Sequence, residues 1–295
     1  MDNIEVKNLG PNFLKFYNLA NEENMTLDDR WQLWKEHYGF AAVPPGEDGK
    51  KLARNLLDEA WTKYEESMNY IETFEPDLDR LESYLTDIKS LLGCNEPIDL
   101  VIIYFVGGFE NNAFVAPTDE GRAALCLPIE GESTDVVLTH ELTHIVHSKT
   151  AGLTTQWERS VASLILQEGL ATHVSRYMIP GEDDENYIEY TEGWLKSCRR
   201  KSKSILEGIY PYFEDSESDT IFKFTFGSGT TGHEREAYFV GWEFVGRLLD
   251  EGVSFKEMAN VEEADIPKYM KDNYPVMKGS KKNHQWMFLD RGNAL

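Results

Sequence analysis

Positive charge is what this sequence has least of. Its 29 Lys and Arg residues stand against 52 Asp and Glu, a formal net charge of −23. A chain so acidic is ill suited to neutralising the phosphates of a nucleic acid or to coating an anionic bilayer, so both partner classes are set aside. Cysteine is nearly as scarce. Cys94, Cys126 and Cys198 are far apart, odd in number and never arranged as CxxC, which excludes a disulfide framework and fits a reducing compartment. Long hydrophobic runs are missing as well: the longest, Leu100 to Val106, is far too short to span a bilayer. The first residues have no basic start and no apolar h-region, so no signal peptide is expected and the expected location is cytoplasmic. No internal repeat or low-complexity tract is evident. Apolar material is plentiful, at 41% of 295 residues, enough for one large domain or two smaller ones.

The chain changes texture near residue 93. Residues 12–92 read as helices. Thr26-Leu27-Asp28-Asp29 opens one with Trp31, Leu33, Trp34 and Tyr38 as its apolar residues, ended by Gly39 and Pro44-Pro45-Gly46. A second runs from about Lys50 to Phe74, with Leu52, Leu56, Ala60, Tyr64 and Met68 at helical spacing. Pro76 fits the first turn of a third, whose stripe Leu78, Leu81, Leu85, Ile88 and Leu92 is closed by Gly93. From Cys94 onward, Ile98–Val106, Asn112–Pro117 and Arg122–Pro128 read as three short strands that form a small sheet against the next helix. Further helices are expected from near Trp157, over 187–207, over Glu234–Leu249 and near Pro267–Met270, with a strand-like run at Ile221–Phe226; the last twenty residues are polar. The expected organisation is an N-terminal helical region, 1–93, and a second domain, 94–295, or the two as one continuous domain.

The helix after the strands carries His140-Glu141-Leu142-Thr143-His144. Histidines four apart on a helix project from one face, close enough to share a metal ion, and the glutamate between them can reach a water bound to it. This is the HExxH pattern, two imidazoles on zinc with a carboxylate as general base. Ser133 or Thr134 is the expected N-cap and Gly152 the expected stop, with Leu138, Leu142 and Ile145 facing the core.

A catalytic zinc takes three protein ligands and keeps a fourth position open. Glu168 is the third-ligand candidate. It shares a helical stripe with Val161, Leu164, Ala171 and Thr172, and a carboxylate on such a face is costly unless a cation accompanies it. Zinc is one such cation, and Gly169 beside it permits a close approach of its helix to the histidine helix; Arg159 or Arg176 is another. A metzincin arrangement is excluded because Thr150 stands where its third histidine belongs. His147 shares roughly the face of the histidine pair, but three ligands on one straight helix make a poor tetrahedral site, so it is read as surface or supporting. His173 points to another face of the Glu168 helix.

With His140, Glu141, His144 and Glu168-Gly169-Leu170-Ala171 the chain resembles the gluzincins, zinc peptidases with HExxH on one helix and a glutamate on the next. More narrowly it resembles the bacterial proteins described as predicted zinc-dependent proteases, in which HExxH is followed by an E-G-L-A segment. The resemblance implies an α+β, zincin-like (gluzincin) core over about residues 94–250, with a small mixed sheet and active-site helices in a mostly helical chain. It implies one zinc ion per chain, a peptide or protein substrate, and an edge strand that pairs with it, for which Asn112–Ala116 is the candidate beside the plain reading of a hairpin strand.

In that reading Glu141 takes a proton from the metal-bound water and passes it to the leaving amine. A donor for the oxyanion is expected in Gly232–Tyr238, where His233 and Tyr238 have suitable chemistry and the preceding glycine-rich loop can move as a lid. Gly227–Gly232 is not a phosphate loop, since the Walker lysine is missing. Lys196–Lys203 reads as a solvated basic face. The alternative function is a non-catalytic zinc-binding regulatory or interaction protein that retains the gluzincin fold.

Overall fold

A computed structural model describes residues 2–43, 46–110, 113–118, 120–130, 134–154 and 156–274. Pro44 and Pro45, Asn112 at the start of the expected edge strand, Ser133 as a possible cap and the last twenty residues lie outside that set.

The chain begins with a strand that its sequence does not announce, β1 (Asn3–Asn8), followed by helices α1 (Gly10–Ala20), α2 (Leu27–His37), α3 (Glu47–Thr73) and α4 (Leu78–Leu92). Strands β2 (Asp99–Phe105), β3 (Phe114–Pro117) and β4 (Ala123–Pro128) follow. Helices α5 (Asp135–Ala151), α6 (Val161–Met178), α7 (Asp184–Ile188), α8 (Trp194–Ile209), α9 (Ser218–Thr225), α10 (Glu236–Asp250), α11 (Phe255–Ala259) and α12 (Ile266–Asn273) complete it. The class is α+β, mostly helical with one small mixed sheet.

Two compact units emerge. The first holds the described residues up to Thr154, together with Ala171–Tyr187 and Phe255–Asn260; the second holds Gln156–Leu170, Ile188–Ser254 and the described stretch from Val261. The change of texture at residue 93 falls inside the first unit, because β1 pairs in parallel with β2, Asn3 opposite Asp99 and Asn8 opposite Tyr104.

In the first unit the sheet order is β1-β2-β4-β3. β2 and β4 are parallel, and β3 runs antiparallel to β4 at the outer edge, Phe114 opposite Cys126. The two central strands are almost wholly apolar because both faces are covered, as parallel strands require. On one side Phe105 packs edge-on against Phe114 and tilted against Phe40. The Tyr38 hydroxyl closes the end of β2, donating to the Val106 carbonyl at 2.8 Å and accepting its N–H at 2.7 Å.

The local signals for helix ends hold. Thr26 and Asp29 form a reciprocal capping box, Asp77 accepts from the Arg80 N–H, and Gly93 ends α4 at φ +73°. Pro76 therefore stands just outside the third helix rather than in its first turn. The stripe of α3 holds at Ala60 and Tyr64, which are buried as expected, but its first half is displaced by one position: Ala53 and Leu57 are buried, Leu56 is half-buried and Leu52 is exposed. A helix this long carries two adjacent stripes; α1 packs on the buried one, with Phe13 4.8 Å from Tyr64.

The second unit departs further from expectation. Ile221–Phe226 is not a strand; it lies in α9 and its end, with Ile221, Phe224 and Thr225 buried at i, i+3 and i+4. A six-residue apolar run does not by itself distinguish the two periods. The helix expected over 187–207 is two, α7 and α8, separated at Gly193 with φ +79°. The helix expected from Trp157 starts at Val161, where Ser160 Oγ accepts the Ser163 N–H at 3.1 Å.

Gly169 was expected to let its helix approach the histidine helix; the close approach shown at Gly169 is to α10. A Cβ at Gly169 stands 2.3 Å from the Gly241 carbonyl oxygen, and one at Gly241 stands 2.4 Å from that of Ile165. Both obstructions are backbone and cannot swing aside. Alanine gains about 1 kcal/mol of helix propensity over glycine, but overpacking of this kind costs about 1–3 kcal/mol or more. Gly169→Ala and Gly241→Ala are each expected to lower the urea midpoint of the full chain; an unchanged or raised midpoint means the helices separate freely.

Candidate metal centre

Helix α5 is held at both ends by its own sequence. Thr134 accepts from the Val137 N–H and is the cap, and Gly152 closes the helix at φ +62°. Leu138, Leu142 and Ile145 are buried as their spacing requires. So are Thr139, Thr143 and His147, each with no exposed surface, which makes α5 a helix packed on more than one side. His147 is accordingly a core residue, not a surface one. Each threonine returns its hydroxyl to the carbonyl four residues back at 2.7 Å, removing the cost of burying it. The helix packs on β3 and β4 and against α4 and α11 within the first unit.

His140, Glu141 and His144 remain half-buried, and their ligand atoms all lie within 4.8 Å of one another. The two imidazoles stand nearly perpendicular with ring centroids 4.6 Å apart. Their Nε2 atoms are 3.0 Å apart. Two nitrogens about 2.0–2.1 Å from one tetrahedral zinc ion stand roughly 3.3 Å from each other, so the pair fits a common metal with a small adjustment. Borderline-soft imidazole nitrogens with one carboxylate suit zinc among the common divalent ions. The Glu141 charge is felt at the middle of the sheet: the buried Cys126 thiol on β4 is pushed up to about 12, by burial first and by Glu141 second.

The other expected site residues belong to the second unit. Glu168 is half-buried on an otherwise buried stretch of α6. Burial pulls the Arg159 guanidinium below its usual pKa; the negative charge of Glu168 opposes this most, ahead of Glu263 and Tyr238. Arg159 thus draws Glu168 and Tyr238 into one electrostatic neighbourhood. Arg176, the other arginine considered for Glu168, pairs with Asp184 at 3.1 Å. His173 is buried on α6.

His233 has both ring nitrogens engaged, Nε2 with Ser197 Oγ at 2.9 Å and Nδ1 with Thr231 Oγ1 at 2.8 Å. The Tyr238 ring lies under the Arg235 guanidinium at 4.3 Å, and Tyr190 lies 4.7 Å from the same cation. Arg235 holds φ +57° at the start of α10, a costly conformation for a branched-chain-free but bulky side chain.

One functional-looking residue was not singled out from sequence. Glu236 is fully buried and its carboxylate accepts four hydrogen bonds, from the backbone N–H and the hydroxyl of both Thr230 and Thr231, at 2.6–3.0 Å. It sits in the first turn of α10, where a negative charge is favoured. Gly229 has no side chain because the carboxylate fills that space. The loop over 227–232, expected as a movable lid, is therefore latched to its own helix. The only legible hint was a glutamate closing the Thr-Thr-Gly-His-Glu-Arg-Glu stretch.

Lys196, Arg200, Lys201 and Lys203 are exposed on α8, a solvated basic face as expected. Among the described residues no helix is long and apolar enough to cross a membrane. The chain matches no family model, and comparison with the curated proteins and with the solved structures gives no match either.

Two outcomes follow for the thiols and the latch. Cys94, Cys126 and Cys198 are all buried, and the Cys198 thiol is also pushed up to about 12, by burial and then by Glu236 and Glu189. At pH 8 a thiol-reactive dye should find none of the three in the folded chain and all three in denaturant. Glu236→Ala strands the amides of Thr230 and Thr231, so hydrogen exchange across 227–232 should rise by tenfold or more, as expected for a loss of about 1.4 kcal/mol or more of local stability.

Proposed function

We propose that the protein is a zinc-dependent peptidase with Glu141 as general base. The observation that carries this reading is the convergence of His140 Nε2 and His144 Nε2 on one point, with the Glu141 carboxylate in the same group of ligand atoms. His140 and His144 would hold the ion, with Glu168 as the proposed third ligand. When bound, zinc acts as a Lewis acid and lowers the pKa of its water toward neutrality.

The chain's own residues supply the rest. Glu141 accepts the proton of the attacking water and returns it to the leaving amine. Its charge acts on the Cys126 thiol of the sheet, which it helps to keep neutral. The antiparallel edge strand β3 offers backbone N–H and C=O groups to an extended peptide. Tyr238 and His233 are the proposed oxyanion donors, and both nitrogens of His233 meet hydroxyl groups.

Support for Glu168 comes from its half-burial on a buried helical stripe, where a cation must accompany it. Arg159 competes for that role, and one substitution separates the two. Glu168→Ala should abolish stoichiometric zinc binding; if Arg159 alone is its partner, zinc is retained and only thermal stability falls.

Metal analysis of the purified chain should find about one zinc per molecule, lost in His140→Ala. Glu141→Gln should keep the metal and lower cleavage of a peptide library by roughly 10²–10⁴-fold. A wild-type chain without zinc ends the proposal. Zinc without any cleavage moves the site to the regulatory alternative.

A further inference from the structure

The second unit exposes an aromatic patch that the peptidase reading does not use. Trp157, Phe222 and Phe226 are 43%, 57% and 52% exposed. They also touch: the Trp157 and Phe226 rings stack at 6.1 Å with 16° between their planes, and Phe222 lies 5.9 Å from Phe226. Single exposed aromatics are ordinary, but three in contact form an apolar surface that marks a binding site. The opposite side of α9 buries Ile221, Phe224 and Thr225, so Phe222 is not available to that core.

The rim of the patch is acidic. Glu158, Glu217 and Asp219 are exposed around it, and Ser218 Oγ donates to Glu158 at 2.8 Å, joining the start of α9 to the Trp157 segment. A fitting occupant is apolar with basic flanks. The chain contains one. Within the otherwise polar stretch 275–295, Trp286-Met287-Phe288-Leu289 follows Lys278, Lys281 and Lys282 and precedes Arg291. That stretch has four basic residues and one acid, on a chain of net charge −23.

The stretch also starts in the right place. Tyr274, at the end of the described chain, is fully buried with its ring 4.7 Å from Phe213 and 5.6 Å from Tyr210. The intervening Tyr212 packs 5.1 Å from Phe224 of α9, and the Phe213 carbonyl accepts the Ala162 N–H of α6 at 3.1 Å. Two ring contacts and two short steps along the chain thus link the root of the stretch to α9, which carries Phe222 of the patch. Residues 275–285 can span up to roughly 35–40 Å when extended, more than that separation requires. Tethering gives an effective concentration on the order of millimolar, which favours the chain's own segment over a second copy.

We propose that Trp286–Leu289 docks on Trp157, Phe222 and Phe226 of the same chain, its lysines facing the acidic rim. Seated there, it braces the entry to α6 and the end of α9 that leads into the glycine-rich loop. Chymotrypsin cleavage after Trp286 and Phe288 in the full chain, followed by mass spectrometry, reads the docking directly. The double variant Phe222→Ser/Phe226→Ser, with its fold checked by circular dichroism, should be cut there about tenfold faster than wild type, because cleavage follows the undocked fraction. Equal rates overturn the proposal. Protection of the wild type that fades on dilution also overturns it, since the occupant is then a second copy. The reciprocal variant, Trp286→Ser/Phe288→Ser, with its fold checked in the same way, should raise hydrogen exchange over residues 218–226; unchanged exchange there counts equally against docking.

Discussion

Two imidazole nitrogens 3.0 Å apart on one helix depend on that helix neither fraying nor rolling. A roll of one residue, 100° about the axis, turns the histidine pair away from whatever it faces. Helix α5 is secured against both. Its ends are stopped by Thr134 and Gly152, and its sides are buried through Leu142, Thr143, Val146 and His147. Rolling the helix brings the buried apolar groups of that set into water, and that cost resists the roll. The sheet supplies the backing, and its two central strands are apolar on both faces for this reason. The first unit can be understood as a support for three side chains.

The second unit is organised by buried charge. Glu236 replaces water around the amides and hydroxyls of Thr230 and Thr231, and a carboxylate with four donors in a dry setting is strongly held. Arg159, beside Glu168, Glu263 and Tyr238, is the other such centre. A half-buried guanidinium is steadied by acids, and Glu168, the residue proposed to bind zinc, is the one that steadies it most. The Gly169–Gly241 contact explains how α6 and α10 come close enough for such groups to meet. Charge pairing and helix approach are thus parts of one arrangement.

Much of this was legible in the residues. The capping box at Thr26, the αL glycines at 93 and 152, the three strands before α5 and the histidine pair all rest on neighbours within a few positions. Errors came where the deciding contact is distant. β1 is six residues, four half-buried and two exposed, whose strand character depends on pairing with residues 99–104, almost a hundred positions away. Ile221–Phe226 is too short to show its period, and the packing of α9 in its own unit made it helical. The first half of the α3 stripe was displaced because Leu52 and Ala53 compete for the core, and a distant partner chooses between them.

By itself the sequence determined the chemistry available at the HExxH segment, since residue identity and a four-residue interval on a capped helix need no distant partner. It also determined that the chain is acidic, rich in helix and supplied with a small apolar sheet. Only the tertiary structure decided that His147 is core rather than surface, that Gly169 meets α10, and that the glycine-rich loop is held by Glu236. Each of these turns on which groups lose their water together, and that is a property of the folded chain rather than of any local stretch.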